Sequence, residues 1–463
     1  MRTTLAGGAR RRVTQPPRTP DRALRTTFVT NMALAVLAVA TGVLAARLLG
    51  PSGEGQLTAI QTWPLILGTL AMLGLDSAVV YFISRQPERG KQLTSTAVLI
   101  GLLSASGVSA VAWFALPFLL SAQQPRIISA ARVFLLIGGI YAVVGIPHGS
   151  LRGTHAFTAW NLFRVAPGLA WLAILFTSCL IGHTSAIPLS RWFLVGNLVC
   201  GIPFLVVVNR QLQGPLKPNA RLAPKMLRFG LPSALTSLPQ TINLRLDQLL
   251  IIAFLPARSL GLYVVAVAWS GAVAPLLSAV ASVLFPHVSA ERNTDRQGHL
   301  LAGALQAGAL VAAATSVPFM LLAPIGLPLV FGSRFGPSIP SALVLVPAGA
   351  ILAWAGIAEE GLRGLGRPMI VLGAEVVAAL VTLAALPVLL HTNGIFGAAV
   401  ASLLGYSTVA LLAVVAISHS TRQKIIPLVI PRWPVTKSLV VRSVSLLPVR
   451  HRSPGRHRQR GVA

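Results

Sequence analysis

The chain has 463 residues, of which 54% are hydrophobic and only 10% charged, and its mean hydropathy is +0.75, too apolar to cover a soluble globule with polar surface. Its formal net charge of +28 comes from 38 Lys and Arg against 10 Asp and Glu. The basic residues crowd into the two tails and alternate connections, which marks membrane orientation and anionic headgroups rather than a nucleic-acid partner. Cys179 and Cys200 both lie inside apolar runs, which excludes a disulfide scaffold and a cysteine metal site.

Residues 1–24 form a basic tail with Arg10, Arg11, Arg12, Arg18 and Arg22. Apolar runs near or above the roughly 20 residues of a spanning helix follow, without the short alternating segments of an outer-membrane barrel. The spans expected in the first half are 25–49, 57–84, 92–120, 127–150, 157–182 and 190–209. The first run is too long for a cleaved signal and leads straight into the second. A Pro-rich basic connection, Arg210 to Met226, then divides the chain. The second half carries expected spans 228–254, 261–286, 299–322, 338–362, 369–390 and 395–418, and a basic tail over 419–463.

The expected organisation is therefore an all-α polytopic membrane protein with about twelve spans: a six-helix lobe over 25–209, a linker over 210–227 and a second six-helix lobe over 228–418. One set of connections carries Arg85, Arg89, Lys91, Arg152, Arg210, Lys217, Arg221, Lys225, Arg292, Arg296, Arg363 and Arg367. The other holds little beyond Arg126, Arg258 and Arg334. By the positive-inside rule the first set and both tails face the cytoplasm, in the inner membrane.

The halves also repeat. Leu49, Gly55 and Trp63 recur 206 residues later as Leu255, Gly261 and Trp269, and the LRG of Leu151 to Gly153 recurs at Leu362 to Gly364. An even number of spans per half gives both the same orientation, related by a pseudo-two-fold axis along the membrane normal, an arrangement suited to alternating access.

An ordered set of motifs then carries a family resemblance. ARLLGPSGEGQL (Ala46 to Leu57), GLDSAVVYFIS (Gly74 to Ser84), LRGTHAF (Leu151 to Phe157), RFGLPSAL (Arg228 to Leu235), RLDQLLI (Arg245 to Ile251), SLGLYVVA (Ser259 to Ala266) and FPHVS (Phe285 to Ser289) follow one another. Over about Thr26 to Ser418 the chain resembles the polysaccharide-export, O-antigen-flippase-like proteins of the multidrug/oligosaccharidyl-lipid/polysaccharide (MOP) exporter superfamily. The resemblance implies two six-helix lobes around a central cavity, and movement of a lipid-linked sugar across the cytoplasmic membrane.

Charged side chains inside spans are costly and so are the candidates for function. Arg245 and Asp247 are two residues apart, about 200° around a helix, so they need different partners, while Asn243 sits one turn before Asp247. Either one charge lines the cavity and the other holds packing, or both are structural. Arg164, beside Asn161 and before Pro167, is a candidate for a pyrophosphate-facing wall, with snorkelling to the interface as the alternative. Arg132 has the same two readings near the opposite interface. Asp76, near Tyr81 and Arg85, suits a structural pairing or a gate contact. Glu359 and Glu360 stand at i+4 and i+3 from Arg363, which permits helical ion pairs. The sharper alternative is that one of them, or Glu375, takes up a proton or sodium ion during the cycle.

The nine histidines form no metal pattern, no nucleophile elbow or P-loop occurs, and the glycines of GLRGLGR (Gly361 to Arg367) follow a span rather than a strand. No cofactor, nucleotide hydrolysis or other catalysis is expected. The leading expectation is a flippase for a polyprenyl-pyrophosphate-linked oligosaccharide, with a polysaccharide polymerase or glycosyltransferases as partners. The alternatives are a cation-coupled drug exporter or a lipid II flippase of the same superfamily, and a non-catalytic scaffold of a polysaccharide assembly complex. A membrane-embedded glycosyltransferase fits poorly, because Glu54 alone supplies an acid to the exterior connections.

Overall fold

The structure, a computed structural model, describes residues 20–429 except 183, 184, 273, 276, 279, 280, 282, 283, 285–287, 290 and 292. For 20–25, 28, 236–241, 427 and 429 only the backbone is described. Residues 1–19 and 430–463 of the basic tails, Arg292 and the Phe285 to His287 part of FPHVS thus lie outside the described residues.

All regular structure among the described residues is helical, as a bilayer demands of segments that must satisfy their own backbone. The first part of the chain forms α1 (Pro20–Ala71), α2 (Leu75–Arg85), α3 (Gly90–Leu119), α4 (Pro125–Phe134), α5 (Leu136–Ile140), a π-turn (Tyr141–Gly145) and α6 (Ile146–Gly153). Then come α7 (Phe157–Ile181), α8 (Ala186–Gln211), α9 (Ala223–Asn243), α10 (Leu246–Phe254) and α11 (Ala257–Gly271). The last part forms α12 (Thr294–Phe331), α13 (Ile339–Gly364), α14 (Pro368–Thr421) and α15 (Ile425–Val429).

A straight helix of the 52 residues of α1 would measure about 78 Å at about 1.5 Å per residue, more than twice the hydrocarbon core of a bilayer. It is in fact two spans joined at Gly50 (φ 64°, ψ 178°), and α14 is likewise two joined at Gly394 (φ 57°, ψ −136°). Only glycine takes such backbone angles without strain. Pro51 restarts the helix at once, where a missing N–H costs nothing. Glu54, expected in a connection, is consequently buried inside this helix.

Eight helices among the described residues are long and apolar enough to cross a membrane. Two of these runs hold kinked pairs, and 223–271 adds interrupted segments, so the set is consistent with the twelve spans expected. Large hydrophobic side chains such as Phe114, Phe118, Leu321 and Ile325 stand exposed on the helix surfaces, which only a lipid solvent accommodates at this density. The chain is a multi-pass membrane protein.

Contacts divide the chain into two compact units, one running to Val265 with Pro328–Pro337 added, the other holding Ala266–Leu327 and everything from Ser338. The first packs around Leu75, Val79, Ile83, Leu93, Ile146, Leu151 and Met226. The second packs around Leu301, Leu305, Ile357, Leu362, Val414 and Ile417. The 210–227 connection is pinned along the first unit. Lys91 N–H donates to the Gln213 carbonyl at 2.8 Å, Asn219 N–H donates to Thr96 Oγ1 at 2.9 Å, and Asn219 caps a short 3-10 turn.

Both repeat signals have physical counterparts. A Cβ on Gly55 would fall on the Ala257 carbonyl oxygen, and one on Gly261 on the Pro51 carbonyl oxygen. Since 257 is 206 residues after 51, as 261 is after 55, equivalent backbones cross symmetrically, and the two glycines permit it. The LRG pair encodes a shared helix ending. Ala156 N–H donates to Leu151 O and His155 N–H to Arg152 O; Arg367 N–H donates to Leu362 O and Gly366 N–H to Arg363 O. This is the Schellman pattern in both halves, with His155 (φ 58°) and Gly366 (φ 73°) left-handed.

Candidate functional site

Three expected spans of the first unit are broken rather than continuous. Residues 72–74 separate α1 from α2, with Leu73 and Gly74 at positive φ (49° and 69°). The π-turn Tyr141–Gly145 interrupts the run from α4 to α6, and Leu244 and Arg245 separate α9 from α10. Irregular backbone at membrane depth is tolerated where it lines a cavity. The first two breaks do so: a cavity of about 310 Å³ is walled by Thr69, Met72, Gly74, Asp76, Ser77, Tyr141, Gly145, Ser233 and Ala234. Gly74 and Gly230 also touch backbone to backbone, setting α9 hard against the α1–α2 break. Asp76 is exposed there, in the first turn of α2. Arg85 does not pair with it but lies 4.4 Å from the centre of the Tyr81 ring.

The remaining substrate candidates are spread over separate places. Asp247 is buried, accepting from Gln248 N–H and the Tyr263 hydroxyl at 2.6 Å each. Arg245 is exposed, precedes α10, and donates to Gln248 Oε1 at 3.0 Å. Arg245 and Asp247 form no ion pair with each other, but both bond Gln248, Arg245 at its side-chain oxygen and Asp247 at its backbone N–H. Asn243 is buried at the end of α9. Asn161 is buried with its amide donating to Thr27 Oγ1 at 3.1 Å. Arg164 lines a second cavity of about 210 Å³, with His148, Phe163 and Phe204. Tyr141 and Gly145 line both cavities. Arg132 donates to the Trp113 carbonyl and lies 4.9 Å from its ring centre.

In the second unit Arg363 binds both neighbouring carboxylates, Glu359 at 3.4 Å and Glu360 at 2.5 Å. The ion pairs that the i+4 and i+3 spacing permits are therefore formed. Glu359 and Glu375 are both buried, and the two carboxyls act electrostatically on each other. The spacing could not reveal this pair, because it joins α13 to α14.

Sequence reasoning missed a set of polar side chains that tie loose helix ends. Arg47 donates to the Val330 and Leu329 carbonyls at the last turn of α12, where the helix dipole favours a cation. Gln123 donates to the Ile252 and Leu255 carbonyls and Ser121 to that of Ala253, at the end of α10. As a charge in the first expected span, well inside it unlike Arg25 at its start, Arg47 carried a usable signal; Gln123, in a connection, carried none.

Residues 43–340 match the family described as polysaccharide biosynthesis protein. No curated protein matches the chain. Among solved structures it is similar to a multidrug resistance MATE family transporter of the MOP superfamily in its inward-facing conformation, at 17% identity and a TM-score of 0.69, covering 88% of this chain and 98% of that one. It is also similar to the lipid II flippase MurJ in an inward closed conformation, at 14% identity and a TM-score of 0.73, covering 92% of this chain and 93% of that one. The fold is that of the MOP exporters.

Proposed function

Because the chain belongs to the polysaccharide biosynthesis protein family, we propose that it flips a polyprenyl-pyrophosphate-linked oligosaccharide across the cytoplasmic membrane by alternating access, for cell-surface polysaccharide synthesis. The observation that carries this reading is the cavity of about 310 Å³, mostly apolar but bearing Thr69, Asp76, Ser77 and Ser233, at two helix breaks of a MOP-fold protein in that family. The lipid tail stays in the bilayer while the headgroup passes along these polar groups. Arg245, exposed at the α9–α10 break and outside the lining of that cavity, is the cation assigned to the pyrophosphate in this reading. Asp76, in the cavity wall, would repel it and suits a gating role.

Arg47, Gln123 and Ser121 tie helix ends within the first unit, on the face that the charge distribution assigns to the exterior. Coupling to a proton or sodium ion is assigned to Glu359 and Glu375, two buried carboxyls that repel each other when both are charged, beside Arg363, which pairs with Glu359. The protein acts as a transporter, not a catalyst. Glycosyltransferases would supply its substrate and a polymerase consume it, while the basic tails rest on anionic headgroups in the cytoplasm.

Depleting the protein and measuring the sidedness of the lipid-linked oligosaccharide tests the function. The headgroup should accumulate on the cytoplasmic face; unchanged exterior exposure, with no redundant flippase present, overturns the reading. Glu375→Gln should abolish the dependence of transport on the ion gradient, and a gradient response like that of the parent protein removes the coupling assignment.

A further inference from the structure

The first unit holds a basic cluster outside the lining of the larger cavity. α6 presents His148 and Arg152 one turn apart, and α7 presents Trp160 and Arg164 one turn apart. The two pairs meet. His148 Nε2 lies 2.9 Å from the Trp160 carbonyl oxygen, and the imidazole is stacked near the indole with ring centres 6.1 Å apart. The guanidinium carbons of Arg152 and Arg164 lie 5.2 and 4.6 Å from the centre of that same indole ring. Each arginine acts electrostatically on His148, and Arg152 acts on Arg164.

Among the described residues no carboxylate forms an ion pair with either arginine; the ion pairs there are those of Arg363. Asp76 packs against Gly149 of α6 without pairing with either arginine. Two permanent cations are thus held beside one aromatic plate by contacts that leave their charge uncompensated. That is the donor chemistry of a phosphate site.

The cavity beside it decides what carries the phosphate. Arg164 and His148 form its polar end, and Val144, Phe163, Phe204 and Leu205 make most of the rest apolar. At about 210 Å³ it is smaller than the roughly 300–1,000 Å³ of sites for drug-sized ligands, a size and lining suited to part of a hydrocarbon chain. Leu162, Ile202 and Val206 stand exposed on α7 and α8 nearby, so the occupant comes from the bilayer.

We propose that Arg152, Arg164 and Trp160 hold the phosphate of an anionic phospholipid, one chain of which enters the cavity behind His148. The lipid is a resident of the first unit, not the transported substrate, and its cavity adjoins the larger one at Tyr141 and Gly145.

The purified full-length protein, delipidated and titrated with phosphatidylglycerol or phosphatidylcholine, tests this by native mass spectrometry. The parent protein should bind one phosphatidylglycerol in preference to phosphatidylcholine. The double variant Arg152→Gln with Arg164→Gln should weaken that binding by roughly tenfold to thirtyfold, from about 1 kcal/mol for each arginine. Leu205→Trp, which fills the cavity and keeps both arginines, should weaken it too, and Lys217→Gln on the linker should not. Variants are compared only where their unfolding temperature matches the parent. Equal binding of the two lipids, or binding unchanged in both the double variant and Leu205→Trp, overturns the proposal. Displacement of the lipid by an equal concentration of inorganic phosphate shows a free-anion site and overturns it as well. Lipid retention is read without transport, so this result and that of the sidedness assay stand apart.

Discussion

Asp247 draws its stability from Tyr263, sixteen residues on, across a helix junction. Both side chains are almost fully buried, and their bond at 2.6 Å removes a carboxylate oxygen from an apolar surrounding that would otherwise penalise it. Tyr263→Phe should lower stability by roughly 1–3 kcal/mol, read as thermal unfolding in detergent, while leaving Arg245 and its glutamine partner in place. Arg363→Gln removes the cation facing Glu359 and Glu360. Its cost should fall toward the lower end of the roughly 1.5–3 kcal/mol of charged hydrogen bonds, because the arginine side chain is 31% exposed. A second change, Glu359→Gln, should restore part of the loss, which unfolding of the double variant checks. The ion pairs of Arg363 were legible in the sequence, since i+3 and i+4 neighbours share a helix face. The partners of Asp247 and Glu375 were not, because each lies on another helix and only packing brings it near.

At the scale of elements, the spans are set by apolar length and their ends by glycine. The matched LRG segments read as a short, weak repeat, yet each specifies the same hydrogen-bonded helix ending. The matched glycines do more, since Gly55 and Gly261 meet each other's helix backbone. Gly261→Val would drive a branched side chain into the Pro51 carbonyl, an overpacking typically worth about 1–3 kcal/mol. Lower thermal stability, with transport reduced in proportion to correctly inserted protein, is the expected outcome. Helix breaks were the poorest-read feature. Spans two, four and seven each look continuous in hydropathy, because a left-handed turn at Gly74, a π-turn at Tyr141–Gly145 and a break at Leu244–Arg245 leave the apolar pattern unaltered.

For the whole molecule, the positive-inside distribution makes a topological prediction. In a background with Cys179 and Cys200 replaced by alanine, Arg334→Cys should react with an impermeant maleimide added outside intact cells, and Arg89→Cys should react only after the cells are opened. The reverse pattern would invert the orientation, and with it the face on which Arg47 and Gln123 hold helix ends.

Composition, charge placement and motif order determined by themselves that this is an all-helical, multi-pass membrane protein of two repeated halves in the polysaccharide-export class. They could do so because hydropathy, basic flanks and motif spacing are properties of the chain read along its length. Only the tertiary structure decided which candidate residues share a place: Asp76 with Tyr141 in one cavity, Arg164 with His148 in another, Glu359 against Glu375. Those groupings depend on helix breaks and on contacts between distant helices, which are set by packing.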